Sequence, residues 1–180
     1  AHHKKNKYNF PVQDTKNIDI MMETGTGKTF TFIKTIFELS KHFGYKKFIV
    51  LIPTVPIREG TKTNLEDTKD YFKSFYANEK EKEIETFVYE GGNISDVRQF
   101  IGTSHLSVLV MTPSSFSHKD KILNRPLEKD INTPELFVNN QEPPKSYLEC
   151  LKRVNPIVIM DEPHRFEGNA FKTYFEGFEN

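Results

Sequence analysis

Five short stretches of this chain are apolar on nearly every successive residue: 18–22, 48–52, 86–89, 106–111 and 157–160. A strand with one face in water alternates apolar and polar residues, whereas a strand covered on both faces reads as a continuous apolar run. Amphipathic segments separate the runs. Lys28–Phe43 repeats apolar residues at Ile33, Ile36, Phe37 and Leu39, and Gly44 supplies a C-terminal stop. A second pattern follows Pro56 through Leu65, Tyr71, Phe72 and Phe75. Ser95 is placed to cap a short helix carrying Val97, Phe100 and Ile101, and residues 147–154 read as a last helix before the fifth run. Strands alternating with helices predict an α/β fold, a mainly parallel sheet with helices on both faces and right-handed crossovers. Ligands of such sheets bind at the carboxyl ends of the strands, so the residues just after each run are the candidates for chemistry.

The chain's 180 residues suit a single domain with its own core. Cys150, the lone cysteine, sits in a helical pattern; it reads as a buried small hydrophobe and points to a reducing, cytoplasmic setting. No apolar run approaches the roughly 18 residues that span a bilayer, and no signal peptide is visible, so no membrane is expected. Lysines plus arginines number 25 and so do aspartates plus glutamates. With no net field to attract a polyanion, any nucleic-acid contact must come from individually placed residues. Residues 1–17 read as a leader or a truncated upstream segment, since the chain starts without methionine. Residues 117–144, polar and proline-bearing, read as an insertion or long connection.

The first run enters Glu23-Thr24-Gly25-Thr26-Gly27-Lys28-Thr29, and a helical pattern follows at once. Glycines let such a loop turn its backbone N–H groups toward phosphate oxygens, and the helix start adds unpaired N–H groups and the positive end of its dipole. Lys28 is placed to reach the β- and γ-phosphates of ATP, and the Thr29 hydroxyl to ligate Mg²⁺. Met22 stands where the usual phosphate-loop pattern has its first glycine. The fifth run ends in Asp161-Glu162, which puts two carboxylates at the same sheet edge. Asp161 would hold Mg²⁺, largely through water, and Glu162 would orient and polarise the attacking water. Acids after a strand also commonly cap the next segment; it is the pairing with the loop that points to nucleotide.

With these motifs in place the sequence resembles the superfamily 2 helicases, and more narrowly the restriction subunit of type III restriction-modification enzymes. The residues that carry this are 22–29, the string Pro53-Thr54-Val55-Pro56-Ile57-Arg58-Glu59-Gly60, and Asp161-Glu162-Pro163-His164 followed by Arg165-Phe166-Glu167-Gly168. In that family methionine commonly replaces the first glycine of the loop. The resemblance implies a RecA-like P-loop NTPase domain, the first of two motor lobes, that uses ATP and Mg²⁺ to track along double-stranded DNA before cleavage. It implies as partners a methyltransferase that recognises the DNA site and a second motor lobe, and it leaves that lobe and the nuclease outside these 180 residues. Without the second lobe's arginine, turnover by these residues alone is expected to be very slow, such arginines being worth roughly 10³–10⁵ in rate.

The resemblance also places Thr54 and Arg58 at a DNA-backbone contact, Thr112 at the next such contact, and His164 as the link between the ATP site and DNA. Each has a plainer reading. Pro53-Thr54 with Arg58 fits a helix start followed by a surface arginine, and a histidine after two acids fits a hydrogen-bonded neighbour. Another superfamily 2 translocase, a type I restriction motor, or a nucleotide-dependent binding module would share much of the pattern. A P-loop kinase would leave the acidic box unexplained.

Overall fold

The structure is a computed structural model and describes residues 18–23, 25–77, 79, 83–115, 122–124, 127 and 144–165. Four of the five apolar runs form strands: β1 (Lys47–Leu51), β2 (Glu85–Val88), β3 (Ser107–Met111) and β4 (Ile157–Met160). They make one sheet in the order β2-β3-β1-β4 with every neighbouring pair parallel. Among the described residues five α-helices pack with them: α1 (Lys28–Phe43), α2 (Val55–Asp67), α3 (Lys69–Phe75), α4 (Ser95–Gly102) and α5 (Tyr147–Arg153).

Two apolar clusters, one on each face, show why the runs lack alternation. Phe48, Val50 and Ile52 point with Val108, Val110, Ile157 and Ile159 toward Ile33, Ile36 and Phe37 of α1, Leu65 of α2 and Phe72 of α3. Ile49 and Leu51 point the other way, with Leu109, Met111, Val158 and Met160, toward Val97, Phe100 and Ile101 of α4 and Leu148 and Leu151 of α5. Each successive residue of β1 therefore meets a helical layer, and full burial of such side chains stabilises by about 1.5–3 kcal/mol apiece. Cys150 lies in the second cluster, and burial pushes its thiol up to about 11, as expected of a core residue.

The first apolar run is the exception. Residues 18–23 form no strand, and Ile18, Ile20 and Met21 are exposed. The run carries the composition of a buried strand, but it pairs with no neighbour, and β4 ends the sheet at that side. The helix starts follow local chemistry more closely. Gly44 closes α1 in a left-handed conformation (φ 76°), its N–H donating to Ser40 O, and Lys41 and His42 complement the dipole in the last turn. Ser95 is the first residue of α4 rather than its cap, because the Asn93 side chain takes the Ser95 N–H at 2.9 Å. Of the expected connection 117–144, residues 122–124, 127 and 144 are described, with Leu123 and Pro144 buried; the rest of it lies outside the described residues, as do 1–17, Thr24 and 166–180. Among the described residues no helix is long and apolar enough to cross a membrane.

Candidate nucleotide-binding site

Because the strands are parallel, their carboxyl ends open onto one edge, and the ladder runs one residue past each end. Ile52 N–H donates to Met111 O at 3.0 Å, Tyr89 N–H to Val110 O at 2.9 Å, and Asp161 N–H to Leu51 O at 3.0 Å. The last bond fixes the acidic pair against the centre of the sheet. Glu162 follows with φ 53°, a left-handed conformation that side chains rarely adopt, and Arg165 N–H closes the turn onto Glu162 O at 2.9 Å. The turn Pro163–Arg165 leaves His164 and Arg165 exposed.

The loop before α1 is shaped by two glycines. Gly25 (φ 80°) and Gly27 (φ 92°) are left-handed, and an added Cβ would meet nothing within 4 Å, so the requirement is backbone conformation and not space. Thr26 donates twice to Glu23 O, from N–H at 3.3 Å and from Oγ1 at 2.7 Å, which closes the turn. Gly27 caps α1 without a side chain, and the first helical bond runs from Thr31 N–H to Gly27 O at 2.9 Å. The N–H groups of Lys28, Thr29 and Phe30 therefore stand free of helical partners, with no acid in the first turn to offset the dipole.

The loop and the acids meet electrostatically. Burial pushes the Asp161 carboxyl above its ordinary range; the Lys28 charge pulls it back down, the neighbouring Glu162 raises it, and Arg165 lowers it. Lys28 thus lies near enough to Asp161 for its charge to be felt. Glu162 Oε2 is buried and held by Arg165 Nε, 2.7 Å away in an ion pair. A half-buried acid beside a second carboxylate, with a lysine and a hydroxyl at a helix start, fits a Mg²⁺–triphosphate. Among the described residues no group of three or more His, Cys, Asp or Glu could hold a metal unaided. Mg²⁺ would therefore take most of its ligands from phosphate oxygens and water, which is its habit.

The other strand ends are mixed. Thr54 caps α2 in extended conformation, is exposed, and makes no side-chain capping bond. Thr112 is buried after β3, its Oγ1 3.5 Å from Ser115 Oγ. Arg58, placed at the surface by either sequence reading, is 6% exposed and bonded to the protein itself. The signal was present: Arg58, Thr61 and Leu65 are spaced three and four apart, and all three are the buried residues of α2. Sequence reasoning also missed the Arg165–Glu162 ion pair, an i, i+3 contact within the turn.

A family model described as "Type III restriction enzyme, res subunit" matches residues 3–180. The chain belongs to that family. Among curated type III restriction-modification enzymes it is 35% identical over 167 residues to the EcoP15I Res subunit of Escherichia coli, covering 83% of this chain and 16% of the relative. It is 34% identical over 179 residues to the EcoPI Res subunit of Escherichia phage P1 (91% and 17%), and 31% identical over 169 residues to the StyLTI Res subunit of Salmonella typhimurium (85% and 16%). The chain therefore spans about a sixth of the length of the Res subunits it matches. No solved structure matches it. Family and fold agree: a parallel α/β sheet with helices on both faces is the architecture expected of a RecA-like, helicase-type motor domain of a type III restriction enzyme.

Proposed function

We propose that this domain binds Mg–ATP at the 23–29 loop and the Asp161-Glu162 pair and serves as the first motor lobe of a restriction subunit that tracks along double-stranded DNA. The observation that carries the reading is geometric: left-handed Gly25 and Gly27 leave the first N–H groups of α1 without helical partners, and Asp161, fixed to Leu51 O at the end of β4, lies within reach of the Lys28 charge. Backbone N–H groups between Gly25 and Thr29 would cradle the phosphates while Lys28 binds the β- and γ-oxygens. Thr29 and Asp161 would hold Mg²⁺, which when bound neutralises charge on the transferring phosphoryl group. Glu162, its carboxylate held by Arg165, would accept a hydrogen bond from the attacking water and hold it in line. Turnover then couples to DNA through the neighbouring strand ends, with Thr54 at a backbone phosphate and His164 beside the acids as the link.

In the longer polypeptide a second motor lobe would complete the ATP site with an arginine, a nuclease would cut, and a methyltransferase subunit would supply site recognition. A Lys28→Ala change in the full-length subunit should weaken ATP binding and abolish DNA-stimulated hydrolysis. Hydrolysis at the wild-type rate by that variant would refute the assignment.

A further inference from the structure

Arg58 sits at the strand edge where DNA is proposed to lie, yet its side chain is turned into the protein. Its backbone N–H closes the first turn of α2 onto Thr54 O at 3.0 Å. Nη1 donates to Tyr89 O at 3.2 Å, Nη2 and Nε donate to Glu59 Oε1 at 2.9 and 3.2 Å, and Nη2 lies 3.5 Å from Glu90 Oε1. Tyr89 is itself buried in the core and continues the ladder onto β3. The two acids are the outermost members of the group, with side chains 52% and 63% exposed against 7% for the arginine.

We propose that Arg58 is a positioning residue for DNA binding and makes no contact with DNA. One residue sets the place of Thr54 twice, through its N–H at the turn and through a guanidinium anchored on the end of β2. Beyond Glu90 the chain turns through Gly91 and Gly92, both at positive φ, so the same anchor also fixes where that loop leaves the sheet. Two carboxylates against one guanidinium make the spot locally negative, which disfavours a phosphate there. The planar fork matters because it serves a carbonyl and the carboxylates together; a lysine's point charge does not reproduce that. The inference rests on the proposed DNA contact at Thr54.

The test titrates duplex DNA into the full-length subunit over a series of salt concentrations, reading DNA-stimulated ATPase for wild type, Arg58→Gln and Arg58→Lys. Both variants should raise the half-saturating DNA concentration about tenfold, the scale of one lost charge-assisted hydrogen bond. The logarithmic salt slope and the DNA-saturated rate should stay at wild-type values. Arg58→Lys behaving as wild type while Arg58→Gln loses about 0.9 from the slope would identify a direct phosphate contact and overturn the proposal. So would two variants indistinguishable from wild type. Where thermal unfolding shows that Arg58→Gln does not fold, Arg58→Lys decides alone: weaker binding at unchanged slope supports positioning, and wild-type binding overturns it. A wild-type protein without any response to DNA would remove the DNA reading itself, a distinct failure.

Discussion

Asp161 feels the positive charge of Lys28, although the two residues stand at opposite ends of the described chain and on different elements. The relationship follows from topology. β4 lies beside β1, which fixes Asp161 through Leu51 O, and α1 packs on the same face as Ile157 and Ile159 while starting at Lys28. Parallel strands bring their carboxyl ends to one edge, and the proposed phosphate chemistry rests on the convergence of that edge with the start of α1.

Asp161 is held partly out of water beside another acid, an arrangement that opposes its charge. Asp161→Asn should therefore raise the melting temperature of the ligand-free protein slightly, by about 2 °C, while removing the gain in nucleotide affinity that Mg²⁺ confers. Differential scanning calorimetry without nucleotide checks the first part. A lower melting temperature would show that the carboxylate stabilises the fold.

Glu162→Gln preserves size and the ability to accept a hydrogen bond but removes the negative charge. ATP affinity should remain near wild type, while DNA-stimulated hydrolysis by the full-length subunit should fall about 100-fold or more. Single-turnover rates with labelled ATP would show it. Undiminished turnover would assign water activation elsewhere.

Gly27 requires a left-handed backbone with no crowding around it. Gly27→Ala should cost about 1–2 kcal/mol from conformational strain alone and weaken nucleotide binding by misdirecting the first N–H groups of α1. Denaturant midpoints and nucleotide titration on the same preparation measure both effects. Unchanged values would mean that the loop reaches its conformation without glycine.

Glu149 governs a small acid-sensitive contribution. The Lys145 N–H, at 2.6 Å, is the main cause of a carboxyl lowered below its ordinary range; burial opposes, and Arg153 at 3.1 Å assists. A carboxyl lowered on folding stabilises above its unfolded value, and the contribution is lost as pH falls through the folded one. Glu149→Gln should thus reduce stability at pH 7 and flatten its decline between about pH 5 and 3. Urea midpoints across that range give the comparison; parallel curves for the two proteins would contradict it.

Much of this architecture was legible because long continuous apolar runs have few alternatives: all five residues from Phe48 to Ile52 are buried, and a short run buried on every residue is what a strand between two layers produces. The loop and the acidic pair were legible because each needs particular residue types in fixed order. Residues 18–22 were misread since apolarity reports what can be buried and says nothing of whether a pairing partner is present. Arg58 was misread for the opposite reason, a charge suggesting exposure while its helical spacing placed it inward. The burial of Thr112 was equally unmarked, for a hydroxyl after a strand carries no sign of its exposure.

The most direct measurement is ATP affinity of the full-length subunit with and without Mg²⁺, for wild type, Lys28→Ala and Asp161→Asn. Convergence of loop and acids on one nucleotide predicts that Lys28→Ala loses binding in both conditions and that Asp161→Asn loses only the increment due to Mg²⁺. Wild-type affinity in Lys28→Ala, or a full Mg²⁺ increment in Asp161→Asn, would show that the two motifs do not share a ligand.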